Sequence, residues 1–250
     1  MNRLVRKEKR LKPIYIPSGK AKEYGDYAIN IYTGCNHGCY YCFAPNVLRK
    51  VKEEFHSKVE PRKDIVEEVK RQIDREKITG KLIHLCFTCD PYPKGIDNTA
   101  TREIIKALKE TGNHVQILTK NGEGAKRDFD CLDGNDWFGI TYAGYDGKNL
   151  IEPPKEEPHA GSPCDRLCAL YLAHDIGIKT WVSCEPVLNA TDVLNLISVS
   201  HYVDLWKIGK LNYHPSDIDW REFGLAVEKL CKALGRDYYI KESLRKEMEG

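Results

Sequence analysis

The stretch YTGCNHGCYYC, residues 32–42, places thiols at Cys35, Cys39 and Cys42, with no fourth cysteine beside them. Thiolates this close together can grip one metal centre if the backbone curls around it, and Gly34 and Gly38 are expected to allow that curl. A structural zinc ion wants four protein ligands in a closed tetrahedron. His37 is an available fourth donor, but it would crowd all four into one small loop, and the usual zinc spacing of two well-separated pairs is absent. A 4Fe-4S cluster held by three cysteines instead leaves one iron open to a further ligand.

Such a centre needs a reduced compartment. The N-terminus MNRLVRKEKRLKP lacks the apolar core of a secretory signal, and no apolar run approaches the ~20 residues of a membrane span. A cytoplasmic chain is expected, with no membrane partner. Ten cysteines there point to metal or redox chemistry rather than to a disulfide framework. Hydrophobic residues at 41% and charged residues at 30% set aside disordered and fibrous classes. The net charge of +2 does not by itself call for nucleic acid. Residues 1–12, however, carry Arg3, Arg6, Lys7, Lys9, Arg10 and Lys12 against Glu8 alone, either a solvated tail or an arm able to track phosphates.

The elements that must position the cysteines alternate along the chain. Strand-like runs cover 28–34, 81–88, 114–120, 137–143, 179–185 and 204–210. Between them, Ile65, Val66, Val69 and Ile73 form one helical stripe, and Ile104, Ile105 and Leu108 another that ends at Gly112. Ser162, Pro163 and Asp165 read as a capped helix start, with Leu167, Leu170 and Tyr171 facing inward as far as Gly177. A last helix is expected over 217–234, with Phe223, Val227, Leu230 and Leu234 apolar before Gly235. Repeated alternation calls for parallel strands with right-handed crossovers, in an open doubly wound sheet or in a full or partial barrel. Every run ends in polar or reactive residues, which such folds gather on one face. The length suits one domain, with a basic extension over 1–26 and a single barrel with a C-terminal helix over 27–250.

The CxxxCxxC spacing, with aromatic Tyr41 before the third cysteine, resembles the signature of radical S-adenosylmethionine (radical SAM) enzymes. The resemblance implies an α/β fold, a partial (β/α)6 TIM-type barrel. It also implies a 4Fe-4S cluster whose open iron chelates SAM, reductive cleavage of SAM to a 5′-deoxyadenosyl radical for hydrogen abstraction, and an electron donor such as flavodoxin or ferredoxin. The series CFTCDPY, LTKNGEGAKRD, GITYA, EPPKEEPHAGSPCDRLCAL and GIKTWVSCEPV, spread over residues 86–187, is similar in order and spacing to the spore photoproduct lyase-like branch. Its best-known member repairs a thymine photoproduct in DNA, so a nucleic-acid substrate is implied. A peptide, protein or small metabolite is the alternative, and a non-catalytic zinc-binding module the reading from another class.

Roles follow by position from the same resemblance. Thr88, Cys89 and Asp90 stand where the branch meets the amino group of SAM, and Lys120 suits its carboxylate. Asp90 before Pro91 is also a common turn cap, and Lys120 reads equally as a surface lysine. Tyr41 is expected against the adenine, with Thr141, Ser183 and Glu185 near the ribose hydroxyls. Cys89 at the rim is the candidate hydrogen donor, while Cys86 reads as a buried, inert thiol. Photoproduct lyases carry a tyrosine after the third cysteine. Here Phe43 stands in its place, so a tyrosine relay is not expected there. Cys164 and Cys168 share a helix face, a spacing that raises a second cluster without supplying a compact ligand set.

Overall fold

Short β-branched runs with apolar side chains can be buried only by lying side by side. In the computed structural model, which describes residues 12–250 except 146–148, they form one sheet of eight strands in chain order. These are β1 (Ile14–Tyr15), β2 (Tyr27–Ile29), β3 (Leu82–Leu85), β4 (His114–Thr119), β5 (Trp137–Thr141), β6 (Lys179–Cys184), β7 (Leu205–Ile208) and β8 (Tyr238–Ile240). β1 pairs antiparallel with β2, and β2 to β8 are parallel throughout. The helices are α1 (Ala44–Leu48), α2 (Lys52–Ser57) and α3 (Ile65–Glu76) after β2, α4 (Thr99–Glu110) after β3 and α5 (Gly122–Lys126) after β4. α6 (Pro163–Asp175) follows β5, α7 (Ala190–Val199) follows β6, α8 (Trp220–Leu234) follows β7, and α9 (Glu242–Glu249) ends the chain.

This is the expected partial barrel of parallel strands, with antiparallel β1 and parallel β8 added at its edges beyond the six strands read from sequence. The curl of the sheet shows at Tyr24, just before β2. Its ring lies 5.4 Å from His84 on β3 and 5.9 Å from Trp181 on β6, with Lys207 Nζ of β7 5.0 Å from its centroid. No ladder joins β1 to β8 among the described residues. A 3-10 turn, Gly19–Glu23, bridges that seam: Glu23 Oε1 accepts from Tyr239 Oη at 3.1 Å and from the Glu242 amide at 2.8 Å. Lys207 Nζ donates to the carbonyl oxygens of Glu23 and Tyr24 at 3.0 and 3.3 Å. Within the extension expected over 1–26, residues 1–11 lie outside the described ones, while β1 and this turn are built onto the barrel edges. Gly139 on β5 is needed where Trp181 enters the lumen, because a Cβ there would run into the indole.

Helix ends behave as the sequence predicts. Ser162 Oγ accepts from the Asp165 amide at 3.1 Å, and Asp165 Oδ2 accepts from the Ser162 amide at 3.2 Å, a closed capping box. Gly112, Gly177 and Gly235 all have positive φ just past their helices. Three expectations are corrected. Tyr171 faces outward, 52% exposed, because it lies about 100° round the helix from Leu170, and Arg166, Ala169 and Ala173 take the inward positions instead. Leu234, in the last turn of α8, is likewise exposed, and that helix starts at Trp220, capped by Asp219 Oδ1 accepting from the Glu222 amide at 2.8 Å. Most strands also stop earlier than read: Cys86 turns β3 aside with φ 73, so Thr88 to Asp90 lie in the loop above it.

Two residues facing the lumen carry a testable cost. His84 pairs Nδ1 with Gln116 Oε1 at 2.9 Å, and burial, with Lys207 and Lys241 adding to it, pushes the imidazole down to about 3. A base depressed in the folded state leaves stability intact above the unfolded value near 6.5 and erodes it as pH falls towards the folded one. Between pH 7.5 and pH 5 the cluster-free protein should lose about 2 kcal/mol from this group. A His84→Leu variant, compared by urea midpoints at both pH values, should lack that component.

Candidate active site

The cysteine loop leaves β2 at the mouth of the barrel, on the face where the parallel strands end. Gly38 supplies the left-handed turn, φ 70, that the curl requires. Gly34 serves differently, since a Cβ there would strike the Phe55 carbonyl oxygen of α2. The Cys35 amide donates to that same carbonyl at 3.2 Å, and His56 Nδ1 lies 2.6 Å from the Cys35 carbonyl oxygen. Burial pushes all three thiols up, Cys39 to about 12. They are therefore neutral until a metal displaces their protons.

A second segment braces the loop from the side. The Tyr40 amide donates to the Glu156 carbonyl at 3.1 Å and the His159 amide to the His37 carbonyl at 3.1 Å. Tyr41 Oη donates to Glu157 Oε1, and Glu157 Oε2 is paired with Arg166 Nη2 and accepts from Tyr145 Oη at 3.1 Å. Both Glu157 and Arg166 are fully buried. The guanidinium also donates from Nε and Nη2 to the Gly161 carbonyl at 3.0 and 2.8 Å, and from Nη1 to the Thr141 carbonyl at 3.1 Å and Tyr145 Oη at 2.9 Å. Burial would raise the Glu157 carboxyl, but Arg166, Lys120 and the Tyr41 hydrogen bond together outweigh it and hold the group below its ordinary value.

The expected site residues fall into three groups. Lys120 joins the cysteine loop, with Nζ 5.6 Å from the Tyr41 ring centroid; burial pulls its ammonium down, and the negative charges of Cys39, when ionised, and of Glu157 more than offset that. Ser183 and Glu185 gather at the end of β6, where Tyr24 Oη lies 3.3 Å from Ser183 Oγ and donates to Glu185 Oε2 at 3.1 Å. Lys241 Nζ pairs with the same carboxylate oxygen. Asp90 is anchored in the protein beside the cysteine loop: Oδ1 accepts from the Tyr92 amide at 2.8 Å and Thr119 Oγ1 at 2.6 Å, Oδ2 accepts from the Lys120 amide at 2.8 Å, and His37 Nδ1 lies 3.5 Å from Oδ2. Thr141 is buried and lends its carbonyl to Arg166. Cys89 Sγ accepts from the Tyr32 amide at 3.4 Å; burial raises its thiol, yet hydrogen bonds with Cys86 and that amide leave it below its ordinary value.

The donor set fits the open cluster better than it fits zinc. A tetrahedral ion with ligands at ~2.3 Å would draw its thiolates to ~3.8 Å of one another. Among the described residues, the group of three metal-binding side chains whose ligand atoms all lie within 4.8 Å is His114, Asp133 and Asp136, and the three cysteines are spread more widely. Lys109 Nζ already sits between those two aspartates, 2.6 Å from each, so that group holds a protein cation. Unpartnered buried polar atoms also collect around the cysteine loop: Asn36 Oδ1 and His37 Nε2 within it, and Thr88 Oγ1 above the adjacent strand. Such atoms are costly unless something meets them.

Glu157, Arg166, Tyr24 and Lys241 were not singled out from sequence. Arg166 left one signal, standing four residues before Leu170 and four after Ser162 on the inward side of α6. The other three are joined to the site by contacts distant in sequence.

The chain matches the family model described as Radical SAM superfamily over residues 29–188. An uncharacterized Methanocaldococcus jannaschii protein, MJ0683, is 28% identical over 187 residues, 74% of this chain and 66% of that one. An uncharacterized Mycobacterium tuberculosis protein, Rv2578c, is 29% identical over 111 residues, 42% of this chain and 32% of that one. The chain thus spans just under two thirds of the first relative's length and about a third of the second's. Among solved structures, a spore photoproduct lyase variant with bound AdoMet and dinucleoside spore photoproduct superposes with a TM-score of 0.66 at 14% identity, covering 90% of this chain and 79% of that one. Streptococcus suis SuiB bound to precursor peptide SuiA gives 0.65 at 12% identity, covering 89% and 50%. At such identities the likeness is one of fold.

Proposed function

Since this chain belongs to the radical SAM superfamily, whose members are enzymes that use a 4Fe-4S cluster and SAM, we propose that it abstracts hydrogen from a nucleic-acid substrate. When bound at Cys35, Cys39 and Cys42, the cluster supplies the electron that splits SAM into methionine and a 5′-deoxyadenosyl radical. The chain's own residues bind and orient. Lys120, beside Tyr41, meets the SAM carboxylate, and Tyr41, pinned through its hydroxyl by Glu157, offers its ring to the adenine. Ser183 and Glu185 address the ribose, held in place by Tyr24 and Lys241. Thr88, whose hydroxyl has no protein partner, and Asp90, whose Oδ2 accepts from the Lys120 amide and keeps a further acceptor site, receive the SAM amino group. Cys89 is the donor that returns a hydrogen atom to the substrate radical, the thiyl radical left behind taking up an electron and a proton to become a thiol again, and a flavodoxin or ferredoxin delivers the electrons.

The observation that carries this reading is the loop of three buried or half-buried thiols, held rigid at the barrel mouth by segment 156–166. The nucleic-acid substrate is supported by the basic residues of 1–12 and by the resemblance of residues 86–187 to the branch whose best-known member repairs DNA. A peptide substrate is the second reading, favoured by the fold shared with SuiB, which was solved with a precursor peptide.

Anaerobic protein reconstituted with iron and sulfide, then given dithionite and SAM, should release 5′-deoxyadenosine. Oligonucleotides should raise the yield more than peptides do, and their affinity should fall steeply with salt and with neutralisation of Arg6, Lys7, Lys9 and Arg10. Stimulation by peptides alone would move the substrate to the second reading.

A further inference from the structure

The loop after β7 carries an aromatic residue that the chemistry above does not use. Tyr213 is 87% exposed, and its backbone is held at φ 66, a conformation that a bulky residue adopts at a cost of ~1–3 kcal/mol. A strained backbone that presents a large ring to solvent calls for a reason. Lys20 Nζ lies 5.6 Å from the ring centroid and donates to Asn212 Oδ1 at 3.1 Å, so a cation from the seam turn is stationed beside it. The next residue, His214, meets Tyr40 of the cysteine loop edge-on with centroids 5.0 Å apart, and Tyr40 is itself 40% exposed. Between these loops lies an open cleft of about 550 Å³, walled by Tyr40, Leu188, Leu211 and Ile218 with Lys155 at its edge.

Resting on the reading that the substrate is a nucleic acid, we propose that loop 211–218 is a base-stacking platform. Unpaired nucleobases of a single strand lie on Tyr213 and against the Tyr40–His214 pair, while Lys20 and Lys155 meet the phosphates. The exposed rings of Tyr213 and Tyr40, with lysines nearby, suit single-stranded nucleic acid, where each base offers a π-face and each linkage a charge. Glu156 and Asp217 also line the cleft, so it is no uniformly positive groove, and stacking must carry much of the binding. The cleft itself holds one ring, Tyr40, among aliphatic Leu188, Leu211, Pro215 and Ile218, and what favours a nucleic acid over a peptide is the exposed Tyr213 ring with the Lys20 ammonium stationed beside it.

Fluorescence anisotropy of a labelled oligothymidylate with the reconstituted, SAM-loaded enzyme tests this. Tyr213→Ala should weaken binding by about 5-fold to about 150-fold, the loss of one stacked base. Tyr213→Phe should bind like the wild type, and the dependence on salt should be unchanged in both. Lys20→Ala should instead lower the salt slope by about one phosphate contact. Because Tyr213 is exposed, both tyrosine variants should keep the wild-type melting temperature, which separates lost binding from lost folding. If the wild type binds and Tyr213→Ala binds equally well, the platform is refuted while the nucleic-acid reading stands. If the wild type binds no oligonucleotide at low salt but does bind peptides, the nucleic-acid reading itself fails and the platform falls with it.

Discussion

A Cys39→Ala variant reconstituted anaerobically with iron and sulfide should stay colourless, and its release of 5′-deoxyadenosine should fall to background. Cys39 is the most buried of the three loop thiols, 7% exposed, and burial pushes it up to about 12, so a bare thiolate there is strongly disfavoured at neutral pH. Only a cation in the loop turns it into a ligand, and two remaining cysteines cannot hold a cluster that already binds through three. The same substitution at Cys35 or Cys42 should behave alike. The control is the exposed pair on α6: Cys164 and Cys168 have their sulfurs 3.8 Å apart but offer only two ligands, so a Cys164→Ser, Cys168→Ser double variant should keep both colour and activity. Iron content and visible absorption decide the matter. Brown Cys39→Ala protein, or stoichiometric zinc in place of iron, would remove the basis of the proposed chemistry.

What could be read from sequence was whatever depends on near neighbours. The capping box of α6, the glycines beyond α4, α6 and α8, and the cysteine loop are each encoded within a few residues, and each appears where it was expected. The missing edges have a different cause. Two residues of β1 and three of β8 are too short to show a period, and they become strands only because a neighbour's ladder is waiting. Rim positions were displaced for a similar reason. Asn30 Oδ1 accepts from the amides of Phe87 and Thr88, both at 2.9 Å, so the chain leaves β3 early and the polar residues read as strand ends sit on loops. Asp90 shows how one residue type serves two purposes. An aspartate before proline and near a strand end reads as a ligand contact or as a turn cap; its bond from the Tyr92 amide is the cap, and those from Thr119 and the Lys120 amide hold it at the mouth of the barrel.

Arg166→Ala should cost the protein far more than a surface arginine would, and the damage should reach the cysteine loop. The side chain is wholly buried and pairs with an equally buried Glu157, so its removal strands a carboxylate without compensation, at a cost of about 3–5 kcal/mol. For a chain of this length that corresponds to a melting temperature about 10 °C lower. Arg166→Lys should recover little, since an ammonium cannot reproduce the forked contacts to Glu157, Gly161, Thr141 and Tyr145. Arg166→Ala combined with Glu157→Gln should recover more, because the stranded charge is gone and Tyr41 keeps an acceptor. The pH dependence fixes the sign. In the wild type Arg166, Lys120 and the Tyr41 hydrogen bond together outweigh burial and hold Glu157 below its ordinary 4.5, so the pair stabilises above that pH and weakens only as acidity passes below it. In Arg166→Ala, burial is opposed only by Lys120 and the Tyr41 hydrogen bond, so Glu157 rises from its wild-type position, protonation costs that variant less, and its deficit relative to wild type should shrink as pH falls into the acid range. Because Tyr41 hangs from Glu157 one residue before Cys42, the variant should also lose iron to a chelator faster than wild type. A stability deficit that ignores pH, with iron retained as in the wild type, would mean that the Glu157–Arg166 pair is passive packing and that the cysteine loop is held by its own backbone bonds alone.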